Sequence, residues 1–154
     1  MNLNIGEFER FPFPNLPKVD EAVYVVSANF QGVLKPIYVG MTETSLRGRM
    51  GHYLTASKDT KADFIVGSTL ALLQGSGVEV VVCYDGSSNA RGHERALLNN
   101  FTSQGLCLLN DFPSHAHLPV SFPITGQSLK SDEGQTKALE AIKQFIESAT
   151  CRHG

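Results

Sequence analysis

Ile37-Tyr38-Val39-Gly40-Met41-Thr42, followed at once by Ser45-Leu46-Arg47-Gly48-Arg49-Met50-Gly51-His52, is the stretch on which the fold turns. A short β-branched and aromatic run that ends in Gly reads as a strand over 36–40. Thr42 to Ser45 offers N-cap side chains, so a helix is expected over 46–56. Arg49 and His52 lie three residues apart on that helix and share a face. Backbone N–H groups at a helix start, the Tyr38 phenol and the Arg49 guanidinium are the kinds of group that converge on a phosphate.

Upstream, residues 22–28 (AVYVVSA) are rich in β-branched side chains and read as a strand. A turn over 29–35, with Gly32, joins it to the next strand, which predicts an antiparallel hairpin. Downstream, 62–74 reads as a mostly apolar helix closed by Gly75-Ser76-Gly77. Residues 78–84 (VEVVVCY) read as a strand buried on both faces. Ser88 or Asn89 can cap a helix over 90–103, and 106–110 is a short apolar segment. A Pro/Ser/Gly-rich connection spans 113–131. A last amphipathic helix is predicted over 136–149, with Leu139, Ile142, Phe145 and Ile146 on one face. Before all of these, Phe8, Phe11 and Phe13 stand among prolines in residues 1–20, an extended arm whose aromatics dock on the domain. The expected fold is α+β, a small three-stranded antiparallel sheet flanked by helices. One domain covers 1–154, with a core at 22–111, an arm at 1–20 and a C-terminal extension at 113–154.

The 154 residues suffice for one domain with a real core, and 42% hydrophobic against 18% charged residues is a globular composition. A formal net charge of −2 argues against a life as a non-specific nucleic-acid coat, which needs a strong basic excess. Basic residues do gather near the opening motif: Lys35, Arg47, Arg49, Lys58 and Lys61 stand against Glu43 and Asp59. Cys83, Cys107 and Cys151 form no C-x-x-C pair, so no zinc or redox signature is present, and a reducing, cytoplasmic setting is expected. Neither a signal peptide nor a run of membrane-spanning length is evident. His115 and His117 lie in the Pro-rich connection without a third ligand and read as solvent-facing.

Phosphodiester hydrolysis requires stabilisation of charge on the phosphoryl oxygens, activation of a water and stabilisation of the leaving oxygen. Arginine suits the first task because its fork stays charged and binds phosphate bidentately. A carboxylate holding a divalent ion serves the other two, and a nearby phenol or imidazole can move a proton. Tyr24, Tyr38, Arg49, His52 and Glu94 are each commonplace singly.

Their order and spacing are not commonplace. Ala22-Val23-Tyr24, then Tyr38-Val39-Gly40, then Leu46-x-x-Arg49 with His52, then Glu94 before Ala96-Leu97-Leu98, and finally Leu109-Asn110 make a pattern that resembles the GIY-YIG nuclease superfamily. The resemblance takes in most of residues 22–111. Ala22 stands where the family has glycine and Val39 where it has isoleucine. His52 follows Arg49 by three residues, where the family more often shows about four. The resemblance implies a metal-dependent endonuclease acting on nucleic acid, DNA rather than RNA. Catalytic roles would fall to Tyr24, Tyr38, Arg49, His52 and Glu94, with Glu94 holding Mg²⁺ or Mn²⁺. Gly40, Thr42, Arg47 and Asn110 would line the substrate site, with Asn110 anchoring backbone beside it. Which tyrosine serves as base stays open. No added recognition domain is evident, so structure-selective or weakly specific cleavage, or targeting by a protein partner, is expected. The competing reading is a non-catalytic module that keeps this fold and binds nucleic acid or protein.

Overall fold

The computed structural model describes residues 9–11, 13, 15–55, 61–106, 108–111 and 128–151. Among these residues the fold is α+β, with three long antiparallel strands and four α-helices. A two-residue strand β1 (Glu9–Arg10) is followed by β2 (Ala22–Phe30), β3 (Val33–Thr42), α1 (Leu46–Leu54), α2 (Lys61–Gly75), β4 (Glu79–Gly86), α3 (Ala90–Ser103) and α4 (Asp132–Cys151). The sheet order is β1-β4-β2-β3, so β2 is central and β3 lies at one edge. The arm adds β1 to the opposite edge through Glu9↔Val82 and Arg10↔Val81, which the sequence did not foretell. Phe11 and Phe13 pack edge-on at 5.3 Å, and Phe13 and Leu16 are buried in the main core, so the described part of the arm docks on the domain, while Phe8 lies outside the described residues. His115, His117 and most of the 113–131 connection lie outside the described residues.

The hairpin is tighter than the sequence suggests. β2 and β3 run to a two-residue turn at Gln31 and Gly32, both at positive φ (55° and 91°), the geometry that matches strand twist. Gly32 supplies that conformation without a Cβ penalty, and its N–H donates to Asn29 Oδ1 at 2.8 Å.

Side chains alternate across the strands and build two cores. Tyr24, Val26, Ala28, Val80, Val82 and Tyr84 face α1, α2, α4 and the arm. Val23, Val25 and Val39 face α3 and Leu108. The register slips between Val26 and Ser27: Val26 pairs with Tyr38, yet Ser27 pairs with Pro36, leaving Ile37 as an extra residue. Without that bulge Tyr38 would sit opposite Val25 on the other face. The bulge therefore brings Tyr38 to the face that carries Tyr24.

Candidate active site

Three tyrosines meet on the α1 side of the sheet. Tyr24 comes from β2, Tyr38 from β3 and Tyr53 from the last turn of α1. Their ring centroids are 6.4 Å (Tyr24–Tyr38), 6.4 Å (Tyr24–Tyr53) and 6.0 Å (Tyr38–Tyr53) apart. The Tyr24 and Tyr53 hydroxyls are 2.7 Å apart, and Tyr38 shares a further hydrogen bond with Tyr53. Tyr24 and Tyr53 are fully buried, while Tyr38 keeps partial access to solvent.

Gly40 makes this cluster possible. It pairs directly with Tyr24, and a Cβ there would overlap the Tyr24 ring and hydroxyl. The phenol lies across the glycine, so the Tyr-Val-Gly run is a steric requirement. Its substrate-side expectation translates into room for a ring.

Asn110 holds the same strand from outside. Its Oδ1 accepts from Val39 N–H at 2.9 Å, and its Nδ2 donates to Val39 C=O at 2.6 Å. The amide thus completes the edge-strand backbone between Tyr38 and Gly40, as a neighbouring strand would. The backbone-anchoring expectation for Asn110 is what the structure shows. Both polar ends of its amide are engaged in that task.

Helix α1 buries Leu46, Met50 and Tyr53 along one stripe. Arg49 borders that stripe, with its guanidinium carbon 5.4 Å from the Tyr53 ring centroid, a cation–π contact at i,i+4 spacing. It also hydrogen-bonds Tyr24. Partial burial disfavours its charge, yet the facing Tyr53 and Tyr24 hydroxyls and Asp63 more than offset this and hold its pKa above the ordinary value. Its Nη1 lies 3.4 Å from Asp63 Oδ1. Arg49 is thus fixed from three sides while its side chain keeps 29% of its surface exposed.

His52 does not join the tyrosines. Its side chain is 59% exposed, and its Nδ1 is 3.6 Å from Asp63 Oδ2. Tyr53, the next residue and four after Arg49, takes the inner position instead. Tyr53 and Asp63 are the site residues that sequence reasoning missed. Leu46-Met50-Tyr53 spacing marks Tyr53 as inward, and Asp63 is the one acidic residue in the apolar run 62–74.

Burial raises the pKa of all three phenols and outweighs the lowering effect of Arg49, so they are neutral at physiological pH. Glu94, on α3, is close enough to act electrostatically on Tyr38. Partial burial pushes its pKa up, and Arg91 and Arg95 pull it part of the way back. Among the described residues no group of three or more His, Cys, Asp and Glu side chains is gathered to hold a metal. Glu94 offers a single carboxylate, which suits Mg²⁺, an ion that commonly takes one or two carboxylates and keeps waters and substrate phosphates.

The start of α1 requires a correction to the phosphate cradle expected there. Thr42 Oγ1 accepts from Thr44 N–H and Ser45 N–H at 3.2 Å and 3.1 Å. Leu46 N–H donates to Val19 C=O at 2.9 Å, and Gly48 N–H to the N-cap Ser45 Oγ at 3.0 Å. The Thr44, Ser45 and Gly48 donors serve the turn itself and the Leu46 donor serves the arm, so these four N–H groups are not the phosphate cradle expected there. Thr42, buried, shapes that turn. Arg47 Nε donates to Leu16 C=O at 2.7 Å and ties α1 to the arm.

Neither a known family nor a curated protein nor a solved structure matches this chain. Among the described residues no helix is long and apolar enough to cross a membrane.

Proposed function

We propose that the protein is a metal-dependent endonuclease that hydrolyses phosphodiester bonds, with DNA as substrate and a reducing, cytoplasmic setting. The observation that carries this reading is the convergence of Arg49 with Tyr24, Tyr38 and Tyr53, beside a carboxylate, Glu94, that acts on Tyr38. The resemblance in residues 22–111 supports the same assignment.

Arg49 neutralises charge that grows on the phosphoryl oxygens, and its preset geometry avoids reorganisation at that moment. Tyr38, the partly exposed phenol, orients the attacking water. Tyr24 and Tyr53 support it from the buried side through the hydroxyl network. Glu94 is the residue that would hold Mg²⁺ or Mn²⁺, and the ion would supply positive charge that lowers neighbouring pKa values and steadies the leaving oxygen. His52 stands at the rim, available to a substrate group there. This small set of side chains favours structure-selective or weakly specific cutting, or targeting by a protein partner.

The test is incubation with supercoiled, linear, single-stranded and branched DNA, with and without Mg²⁺ or Mn²⁺. Glu94→Ala and Arg49→Ala are each expected to abolish cleavage while the circular dichroism spectrum stays that of the wild type. Cutting by either variant at the wild-type rate overturns the assignment. Binding without any cutting by the wild type points to the non-catalytic module instead.

A further inference from the structure

Among the described residues, Asp63 is the most deeply buried charged side chain, with 4% of its side chain exposed. It stands in the first turn of α2, where the helix N-terminus favours a carboxylate. The residues that follow it, Phe64, Ile65 and Val66, are buried in the main core, so α2 cannot turn this carboxylate toward water without disturbing that packing.

Two of its contacts reach back to α1. Oδ1 is 3.4 Å from Arg49 Nη1, and Oδ2 is 3.6 Å from His52 Nδ1. One carboxylate therefore stands behind two α1 side chains that border the site. Removing a carboxylate from water is costly unless it is paired, so burial here stabilises the arrangement in which Arg49 stays within reach.

We propose that Asp63 is a positioning residue: it clamps the Arg49 guanidinium against the tyrosine cluster and turns the remaining Arg49 donors, together with the outer edge of His52, toward the substrate. This rests on the nuclease reading for its catalytic consequence, but the clamp itself does not. A guanidinium held by a fixed carboxylate on one side and by Tyr24 and Tyr53 on another has little rotational freedom left. It meets a phosphate with its remaining N–H groups already aimed. Because Asp63 also offsets the Arg49 charge, it contributes to geometry more than to ground-state attraction. Its loss is therefore expected in kcat and not in KM.

Two measurements test this on the full chain. The first needs no activity: ¹⁵N NMR of the Arg49 guanidinium in the wild type, Asp63→Asn and Asp63→Glu. Restricted rotation is expected in the wild type, rotational averaging in Asp63→Asn, and an intermediate state in Asp63→Glu, which keeps the charge. An Arg49 signal unchanged in Asp63→Asn overturns the inference. Should that variant not fold, an Arg49 guanidinium already freely rotating in the wild type overturns it equally.

The second is steady-state cleavage. Asp63→Asn is expected to lower kcat about ten- to a hundredfold, the scale of a misplaced catalytic group, with KM unchanged or lower. Asp63→Glu should recover part of it. In an Arg49→Lys background, Asp63→Asn should have little further effect, since the group it positions is gone. A raised KM with unchanged kcat, or full additivity with Arg49→Lys, overturns the proposal. If the wild type cuts no substrate, the nuclease reading fails, and the NMR result still decides whether Asp63 orders Arg49.

Discussion

The two faces of the β2–β3 hairpin are built from alternating residues of the same two strands, yet they do different work. On one face Val25 pairs with Val39, and Leu97 and Leu108 close over them without a polar atom among those side chains. On the other, Tyr24 pairs with Gly40 and Val26 with Tyr38, and three phenols and a guanidinium share one enclosure. The aliphatic face obeys shape and volume alone. The aromatic face must satisfy every hydroxyl as well, and it does so by having the hydroxyls satisfy one another. The contrast teaches that a single bulge residue, Ile37, decides which face Tyr38 serves.

The strongest way to break that contrast is Leu108→Ala. A fully buried leucine on the aliphatic face should cost about 2–5 kcal/mol in denaturant unfolding. Cleavage per folded molecule should stay within about twofold of wild type, well inside the tenfold that 1.36 kcal/mol of barrier represents. A rate loss as deep as that of Glu94→Ala would show that the two faces are not separable. Gly40→Ala tests the other face from within. Its new methyl must displace the Tyr24 ring, at about 1–3 kcal/mol of overpacking. Cleavage should fall by far more than the folded population does, and wild-type rates in a folded Gly40→Ala protein would remove the steric account of the Tyr-Val-Gly run.

Tyr53→Phe sharpens the comparison at a single atom. It removes the hydroxyl that Tyr24 and Tyr38 share, for about 1 kcal/mol of stability. A clear drop in kcat with the fold intact is expected, whereas an unchanged kcat would reduce Tyr53 to packing. The smallest effect on stability belongs to Glu94→Gln. Burial raises the Glu94 pKa in the folded state above its unfolded value, so the fold binds its proton more tightly than the unfolded chain does. Its charged form therefore disfavours folding, and stability falls as pH rises from the ordinary carboxylate range through the raised value. Glu94→Gln should be slightly more stable than wild type at pH 7, by less than about 1 kcal/mol given its solvent access. The difference should vanish in acid, where both side chains are neutral. Thermal melts across pH check this, and Mg²⁺ should raise the melting temperature of the wild type but not of the variant.

Much of this was legible in the sequence because it rests on local pattern. The α3 helix over 90–103 follows from turn residues, a cap position and apolar spacing, and its observed limits are Ala90 and Ser103. Even there the capping atom was not foreseeable: Asn89 makes no side-chain cap, and Glu21 Oε2, from the residue just before β2, accepts from Ala90 N–H at 3.3 Å. The strand-to-helix motif was equally legible, as was the backbone role of Asn110. The bulge at Ile37 was not, because a one-residue slip leaves composition and propensity untouched and shows only in pairing. His52 drew attention by its chemistry, while Tyr53 was passed over although the Leu46-Met50-Tyr53 stripe turns it inward. Asp63 was hidden for a different reason. Its meaning lies in contacts with His52 and Arg49, 11 and 14 positions earlier, on another helix.

The Asn110 amide has a consequence beyond the site. β3 is an edge strand, and an edge strand's outward N–H and C=O groups invite a second chain to add itself to the sheet. At Val39 those two groups are already taken by one side chain of the same molecule. An incoming strand would have to expel Asn110 before it could extend the sheet past this point. The device that holds Tyr38 and Gly40 in register also guards this edge against self-association beside the tyrosine cluster.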